Sequence, residues 1–357
     1  MKSRYFDLGG VLMRKIGRFI GPLLLVCGIA SAAPLPPPGG SADDAAFTEA
    51  LRWLGASPQF DAEYNFEMTV QIRFLLFWAG RDDVGGGYVK LGQAAEDANL
   101  KFIQLLFGSD PAKAHGINRW GGGTEVVKLG ESGAPGSSVF MGFMKSYKGD
   151  SVGAMQQELS KEKAGGQHRF EAIISRVDSR RAISTTVPFS SDRDFDFRDL
   201  EPAEKVVLDR LKEGQERKFH ALEKPALGCE RGRGFLSTVL ELNDRALQKP
   251  SAPISLCYVY NANQYVLTLE KTRAVVEKMV HYTLRETNQS FDHKYQNLVE
   301  ARYQITNPAG KKTDFTILLG ADGTLRGAPV QINYQPNWWF QITLNLKPGA
   351  HQAVAGH

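Results

Sequence analysis

The sequence predicts a mainly β (α+β) fold, in which an antiparallel meander forms a curved sheet or half-barrel with a few peripheral helices. Three observations predict this class. Between Tyr64 and Phe74, apolar and polar residues alternate with a period of two, as in a strand with one buried face. Within residues 255–346, one β-like segment follows another, and short turns such as Asn261–Asn263 separate many of them. Helical spacing is confined to a few segments.

The first residues have the features of a secretory signal. Arg14, Lys15 and Arg18 precede a short apolar stretch, which the small residues 30–33 follow. That stretch is shorter than the ~20 residues that a membrane-spanning helix needs. We therefore predict that residues 1–33 are a signal peptide and that the mature protein is periplasmic or secreted from a bacterium, with no permanent membrane span. Lipoprotein anchoring through Cys27 is the alternative.

The basic excess of the chain lies in this N-terminal segment. The whole sequence has 43 Lys and Arg against 39 Asp and Glu, a net charge of +4, and residues 1–33 carry all of that excess. The remaining chain holds 38 basic and 38 acidic residues. Because proteins that bind polyanions carry a basic patch or excess, we predict no nucleic-acid partner.

The predicted mature chain divides into five parts. They are a Pro/Gly linker (34–41), an N-terminal β-rich domain (42–200), a connecting helix (201–222), a C-terminal antiparallel half-barrel (223–348) and a tail (349–357). Asp82–Gly87 is typical of a turn between two strands.

Two cysteines remain after residue 33. Cys229 and Cys257 of an exported chain are plausible disulfide partners, closing a loop of ~29 residues worth ~3–4 kcal/mol in the chain-entropy model. Two separate buried thiols are the alternative.

The sequence contains no signature of a known catalytic site. H-E-x-x-H, G-x-S-x-G, the P-loop and paired C-x-x-C are all absent, so we predict no catalytic residue, no cofactor and no metal. A hydrolase without a recognisable motif stays open, with four nameable residues: Ser132, His281, Asp292 and His293.

An acidic cluster offers carboxylate oxygens of the kind that bind Ca²⁺. Asp192, Asp194 and Asp196 would share one face of a strand, but Phe197 occupies the glycine position of an EF-hand loop. A solvated loop, neutralised by Arg193 and Arg198, is the favoured interpretation.

Five residues are candidates for ligand binding. Arg119 and Trp120 precede three glycines, which fits either a recognition loop or an aromatic plug at a barrel end. Tyr334, Trp338 and Phe340 would line an apolar cavity if the sheet is curved, and simple core packing is the alternative.

The stretches GSDPAKAHGINRWGG (108–122) and GAPVQINYQPNWWFQITLNLKP (327–348) resemble an uncharacterised group of bacterial exported proteins. The second stretch is similar to periplasmic half-barrel domains of unknown function, which share an architecture with lipoprotein-carrier and lipocalin-like folds. The resemblance implies a fold and a compartment, and it transfers no functional residue.

These observations lead to one functional expectation and two alternatives. We expect an exported, non-catalytic β-protein that binds a hydrophobic small molecule or lipid in a curved sheet. The first alternative is an envelope structural or interaction module that binds another protein through the helix 201–222 or the Arg119/Trp120 loop. The second alternative is the hydrolase described above.

Overall fold

The computed structural model describes residues 41–348 with several gaps. The gaps are 75–76, 115–117, 132, 134, 146–159, 161–167, 179–180, 192–193, 197, 199, 213–219, 224–232, 285–288 and 338–339. The predicted signal peptide and tail, most of the linker, and Cys27, Ser132, Asp192, Arg193, Phe197, Cys229 and Trp338 therefore lie outside the described residues.

Three α-helices, one 3₁₀ turn and fourteen strands make up the described chain. The helices are α1 (Ser41–Leu54), α2 (Leu200–Lys212) and α3 (Phe235–Leu247), and the 3₁₀ turn is Gly323–Leu325. The strands are β1 (Pro58–Phe74), β2 (Phe77–Ala94), β3 (Leu100–Ser109), β4 (Trp120–Leu129), β5 (Pro135–Lys145), β6 (His168–Asp178), β7 (Arg181–Ser191), β8 (His220–Glu223), β9 (Ile254–Tyr260), β10 (Asn263–Leu284), β11 (Gln289–Thr306), β12 (Lys312–Gly320), β13 (Pro329–Asn337) and β14 (Phe340–Leu346).

All fourteen strands belong to one antiparallel sheet, which confirms the predicted fold class. Its order is β8-β7-β6-β5-β4-β3-β2-β1-β14-β13-β12-β11-β10-β9, so neighbours in space are neighbours in the chain except where β1 meets β14. Strands of both predicted halves, 42–200 and 223–348, thus share one sheet.

The sheet curls until its two ends come into contact. Val177 of β6 and Ala182 of β7 form a buried cluster with Val259 of β9. Close by, Ser184 Oγ donates a hydrogen bond of 2.8 Å to Asn261 Oδ1 in the turn after β9. The sheet is therefore nearly closed and barrel-like.

Alternate residues of β3 and β4 show which helix covers which face. Phe102 and Val126 pack in the core cluster of α1 and α2, whereas the adjacent residues Ile103 and Val127 pack with Leu236 of α3. Because successive side chains of a strand point to opposite faces, α1 and α2 lie on one face and α3 on the other.

Helix α3 lies inside the curve of the sheet. Besides touching β3 and β4, it packs Leu242 and Ala246 against Tyr265 and Leu267 of β10. Asn243 Oδ1 accepts a hydrogen bond of 2.7 Å from Tyr303 Oη of β11. A helix that touches both halves of a curled sheet occupies its concave side.

The glycine-rich segment 82–87 lies within β2, whereas its sequence predicts a turn. A Cβ atom on Gly85 or Gly87 would collide with the backbone of β3, so glycine there permits two strands to approach closely. Asp83 takes a positive φ of 52° next to a bulge in the pairing of β1 with β2. The turn-favouring residues of segment 82–87 therefore lie at an irregularity inside a strand.

Two other predicted boundaries were wrong. The helix predicted for 201–222 ends at Lys212, and His220–Glu223 form β8. The sequence also favours separate strands over 265–270 and 275–285, whereas Asn263–Leu284 form the single strand β10, which has a bulge near Leu269.

Candidate functional site

Trp120, one of the predicted ligand-binding residues, is a core residue. Its side chain is 1% exposed, and its ring meets those of Phe143 and Phe170 at centroid distances of 5.9 and 6.0 Å. Its Nε1 donates a hydrogen bond of 2.7 Å to the carbonyl oxygen of Phe195. The ring thus packs under the loop after β7.

Arg119 is also buried, at 2% exposure. Its Nη1 donates to the carbonyl oxygen of Asn118 at 2.6 Å, and its backbone N–H donates to Ser109 Oγ at 2.9 Å. Neither Arg119 nor Trp120 is presented on an exposed loop.

A polar cluster beside Trp120 holds the acidic segment that follows β7. Lys145 Nζ lies 2.6 Å from Asp194 Oδ1, and Asn118 Nδ2 donates to Asp194 Oδ2 at 3.1 Å. His168 Nδ1 is 3.5 Å from the same carboxylate. Since Lys145 is 2% exposed, this ion pair fixes the loop to the sheet.

The rest of the acidic segment matches the solvated-loop interpretation where it is described. Asp196 pairs with Arg198 at 2.7 Å. Across the described part of the chain, no three His, Cys, Asp or Glu side chains converge as a metal site would require.

Two residues of the second predicted group, Tyr334 and Phe340, belong to β13 and β14. Tyr334 is 6% exposed and pairs with Phe315 on one side and Ile342 on the other. Phe340 begins β14 and pairs with Asn337 and, on the other side, with Ile72 of β1.

Helix α3 covers the concave side of the sheet, where we expected an apolar ligand. Glu125 holds this helix in place. This β4 residue is fully buried, and its Oε2 accepts hydrogen bonds from the backbone N–H groups of Leu236 (2.7 Å) and Ser237 (3.4 Å). Its Oε1 accepts from Ser237 Oγ at 2.5 Å. The carboxylate therefore satisfies donors at the start of α3 that have no partner within the helix.

Burial of Glu125 disfavours the ionised form of its carboxyl group. Burial raises the pKa of its carboxyl group, and the hydrogen bonds from Ser237 and Leu236 only partly oppose that rise. The group acts as a structural cap for α3.

The opposite face carries an open cavity of about 270 Å³ beneath α2. Its apolar wall includes Leu54 of α1, Phe102 of β3 and Leu208 of α2. Its polar wall combines two strand residues with one face of α2: Gln104, Thr124, Glu201, Glu204, Lys205, Asp209 and Lys212. We call this cavity the α2 cleft.

Glu204 is the central polar group of the α2 cleft. Gln104 Nε2 donates to Glu204 Oε2 at 2.9 Å, and Thr124 also hydrogen-bonds this carboxylate. Burial raises the pKa of Glu204, and the nearby charge of Glu201 adds to that rise. Gln104 Oε1 is buried and accepts no hydrogen bond from any described residue.

Two residues next to the α2 cleft, Lys90 and Tyr88, interact with its acidic residues. Lys90 Nζ lies 3.2 Å from Glu201 Oε1 and 4.7 Å from the centre of the Tyr88 ring. Burial, followed by the charges of Glu201 and Glu204, raises the pKa of the Tyr88 hydroxyl. Tyr88 therefore stays neutral, and Lys90 is directed to Glu201.

Gln104, Thr124 and Glu204 were not singled out from the sequence. The available signal was a polar residue interrupting an apolar strand face, as Gln104 does between Phe102 and Leu106. Such a residue, 3% exposed, needs a polar partner.

The nameable hydrolase residues are partly brought together. His281 Nδ1 lies 3.0 Å from Asp292 Oδ1 across the β10–β11 pair, and both side chains are exposed. The hydrogen bond to Asp292 raises the pKa of His281. Ser132 lies outside the described residues, so no nucleophile is placed beside this pair.

Comparisons with known proteins leave the family open. No family model, no curated protein and no solved structure matches this chain. Among the described helices, none is both long enough and apolar enough to cross a bilayer.

Proposed function

We propose that this protein is an exported binding protein that holds a small amphiphile, an apolar body with an ammonium group, in the α2 cleft. The observation that supports this most directly is the cavity in which Phe102 and Leu208 adjoin the carboxylate of Glu204. The proposal keeps the hydrophobic class of ligand that the sequence led us to expect. It moves the binding place from the concave face, which α3 covers, to the opposite face.

The charges of the cleft favour a cationic head group. Its wall carries Glu201, Glu204 and Asp209 against Lys205 and Lys212, and Lys90 beside the cleft pairs with Glu201, so the buried Glu204 is the acid that a ligand cation would meet. Because burial disfavours the ionised form of Glu204, an adjacent cation would stabilise that carboxylate strongly.

An ammonium group also fits the hydrogen-bonding needs of the cleft. It offers three N–H donors and no acceptor. One donor can pair with the carboxylate of Glu204, which lines the cleft together with Gln104 and Thr124.

The size of the cleft limits the ligand to a small molecule. Pockets for drug-sized ligands measure about 300–1,000 Å³, so about 270 Å³ suits something smaller. A single short alkyl chain meets this limit, and a whole two-chain lipid does not.

Hexylammonium is a suitable probe for this proposal. We expect it to bind the purified mature protein, and we expect Glu204→Gln to weaken binding at least ~tenfold, because a hydrogen bond to a charged group is lost. Isothermal titration calorimetry measures both affinities. Asp44→Asn is the matched control, since it removes one exposed negative charge from α1 outside the cleft.

Hexanoate, with the same chain and the opposite charge, separates charge recognition from apolar uptake. We expect it to bind at least ~tenfold more weakly than hexylammonium. Equal affinity for the two probes, or equal losses in the Glu204 and Asp44 variants, would refute the proposal.

We expect hexylammonium to bind more tightly as pH rises. The raised pKa of Glu204 means that the free protein keeps this proton to a higher pH than an exposed Glu does. The probe stays charged, because alkyl ammonium groups such as that of Lys titrate near ~10.4. Affinity therefore increases through the raised pKa of Glu204, and titrations of Glu204→Gln at the same pH values should show no such increase.

The same pKa sets the sign of the effect on stability. Ionising a carboxyl group whose pKa is raised in the folded state lowers the free energy of unfolding. The contribution of Glu204 to stability is therefore lost as pH rises from its ordinary pKa through the raised one. Urea denaturation across that pH range should show a smaller decrease in the free energy of unfolding for Glu204→Gln than for the parent protein.

The Cys229–Cys257 disulfide stays a prediction, and it can be tested on protein that has been exported to the periplasm. Cys257 is half-buried in β9, and Cys229 lies outside the described residues. We expect that mature protein purified from the periplasm and denatured without reductant takes up no alkylating agent, by mass spectrometry, and takes up two groups after reduction. Two groups added before reduction would contradict the disulfide.

A further inference from the structure

Lys90 lies beside the α2 cleft, in surroundings that suit a bound ammonium group. Its Nζ atom is 3.2 Å from Glu201 Oε1 and 3.6 Å from Glu63 Oε2. The same atom lies 4.7 Å from the centre of the Tyr88 ring and 5.4 Å from that of the Phe60 ring. Aromatic rings attract cations through their negative faces, and carboxylates attract them directly. The protein thus supplies one ammonium group of its own next to the cleft.

Strand pairing places Lys90 in line with the polar strand residues of the α2 cleft. Lys90 of β2 is opposite Gln104 of β3, and Gln104 is opposite Thr124 of β4. Directly opposed residues of an antiparallel pair lie on the same face of the sheet. These three side chains therefore form one row on the face that α2 covers.

Two acids of α2 contact this row. Glu201 pairs with Lys90, and Glu204 accepts a hydrogen bond from Gln104. The two acids are three positions apart on the helix, so their Cβ atoms are about 5–6 Å apart. Burial raises the pKa of Glu204, and the charge of Lys90 opposes part of that rise. The ammonium group of Lys90 therefore acts on both acids.

We infer that Lys90 determines which cations the α2 cleft accepts, by excluding ligands that carry two ammonium groups. This inference rests on the proposed function, since it concerns the ligand of the same cleft. With one ammonium group at Glu204, a second would have to take the position beside Glu201 that Lys90 Nζ holds. Like charges at such short range repel each other. A ligand with a single ammonium group leaves that position to Lys90.

A purely structural lysine would give a different result. Lys90 also links β2 to α2, and its ion pair with Glu201 would hold the helix whatever binds beside it. Loss of that link would lower the melting temperature without changing which cations the cleft prefers. The preference between two ligands of equal size is therefore the quantity to measure.

Butane-1,4-diammonium and pentylammonium are a matched pair of probes. They have the same number of non-hydrogen atoms, and a methyl group in the second replaces one ammonium group of the first. Isothermal titration calorimetry gives the affinity of the mature protein for each. We expect the parent protein to bind pentylammonium at least ~tenfold more tightly, because the second ammonium group meets the charge of Lys90. Equal affinities, or tighter binding of the diammonium, would overturn the inference.

Lys90→Met removes the ammonium group and keeps most of the length of the side chain. We expect the affinity for butane-1,4-diammonium, relative to that for pentylammonium, to rise at least ~tenfold over the parent ratio. The second ammonium group can then pair with Glu201 and contact the Tyr88 ring. Lys90→Arg keeps the positive charge, so its ratio should equal that of the parent. Melting temperatures show whether each variant folds, and Lys90→Gln is the second neutral variant.

Two further variants separate the position of Lys90 from its charge alone. Lys271→Met removes one exposed positive charge from β10, outside the cleft, and should keep the parent ratio. The double variant Lys90→Met/Glu201→Gln should lose the rise seen in Lys90→Met. Equal changes in Lys90→Met and Lys271→Met would overturn the inference, as would a folded neutral variant with the parent ratio. A parent protein that binds neither pentylammonium nor hexylammonium would refute the proposed function itself, and this inference with it.

Discussion

Replacement of Glu125 by alanine should lower the free energy of unfolding by about 3 kcal/mol or more. The change leaves the N–H groups of Leu236 and Ser237 and the Ser237 hydroxyl buried without their acceptor. An unsatisfied buried donor costs about 1–3 kcal/mol. The substitution also removes a buried carboxyl group, whose pKa is raised by burial, and this gain offsets only part of the loss. Urea denaturation followed by far-UV circular dichroism measures the difference.

Glu300→Ala is the control for Glu125→Ala. Glu300 pairs with Arg273 at 3.0 Å on an exposed strand face, so its removal should cost less than about 1 kcal/mol. Glu125→Gln should lie between the two, because the amide keeps an acceptor oxygen but adds donors toward the helix. If Glu125→Ala is no less stable than Glu300→Ala, the carboxylate does not hold α3 in place.

Trp120→Ala should destabilise the protein by about 3–5 kcal/mol, because it opens a large cavity among Phe143 and Phe170. Trp120→Phe should cost less. It retains a ring, and the Phe195 carbonyl that loses the indole N–H still accepts a hydrogen bond of 2.9 Å from Asn118 Nδ2. Urea denaturation of both variants gives the two values.

The two Trp120 variants also separate packing from surface recognition. A residue presented to a partner would change binding and leave stability unchanged when truncated to alanine. A melting temperature for Trp120→Ala equal to that of the parent protein would contradict the buried position of the ring.

The class of fold was predictable because it depends on local periodicity. The alternation from Tyr64 to Phe74 predicts β1, and the spacing of Phe47, Leu51 and Leu54 predicts most of α1. The glycines 85–87 favour a turn in the sequence but lie inside β2, since a turn and a close approach of two strands both require glycine.

Helix α3 shows where sequence reasoning stops. Its apolar residues have helical spacing, and the sequence therefore favours a helix here: Phe235, Val239, Leu242 and Ala246. Its burial inside the sheet could not be predicted, because that depends on Glu125, which is more than 100 residues away. The α2 cleft was hidden for the same reason, since periodicity does not tell which strands a helix will cover.

The pairing of β1 with β14 constrains the order in which the chain completes its fold. Phe66 lies opposite Leu346, roughly 280 residues later, whereas every other pair of neighbouring strands in the described sheet is consecutive in the chain. Until β14 arrives, β1 is an unpaired edge, and such edges recruit strands from other chains. Contacts of such high sequence separation form late and slowly. The folding chain therefore has an aggregation-prone interval that ends only when β14 docks on β1.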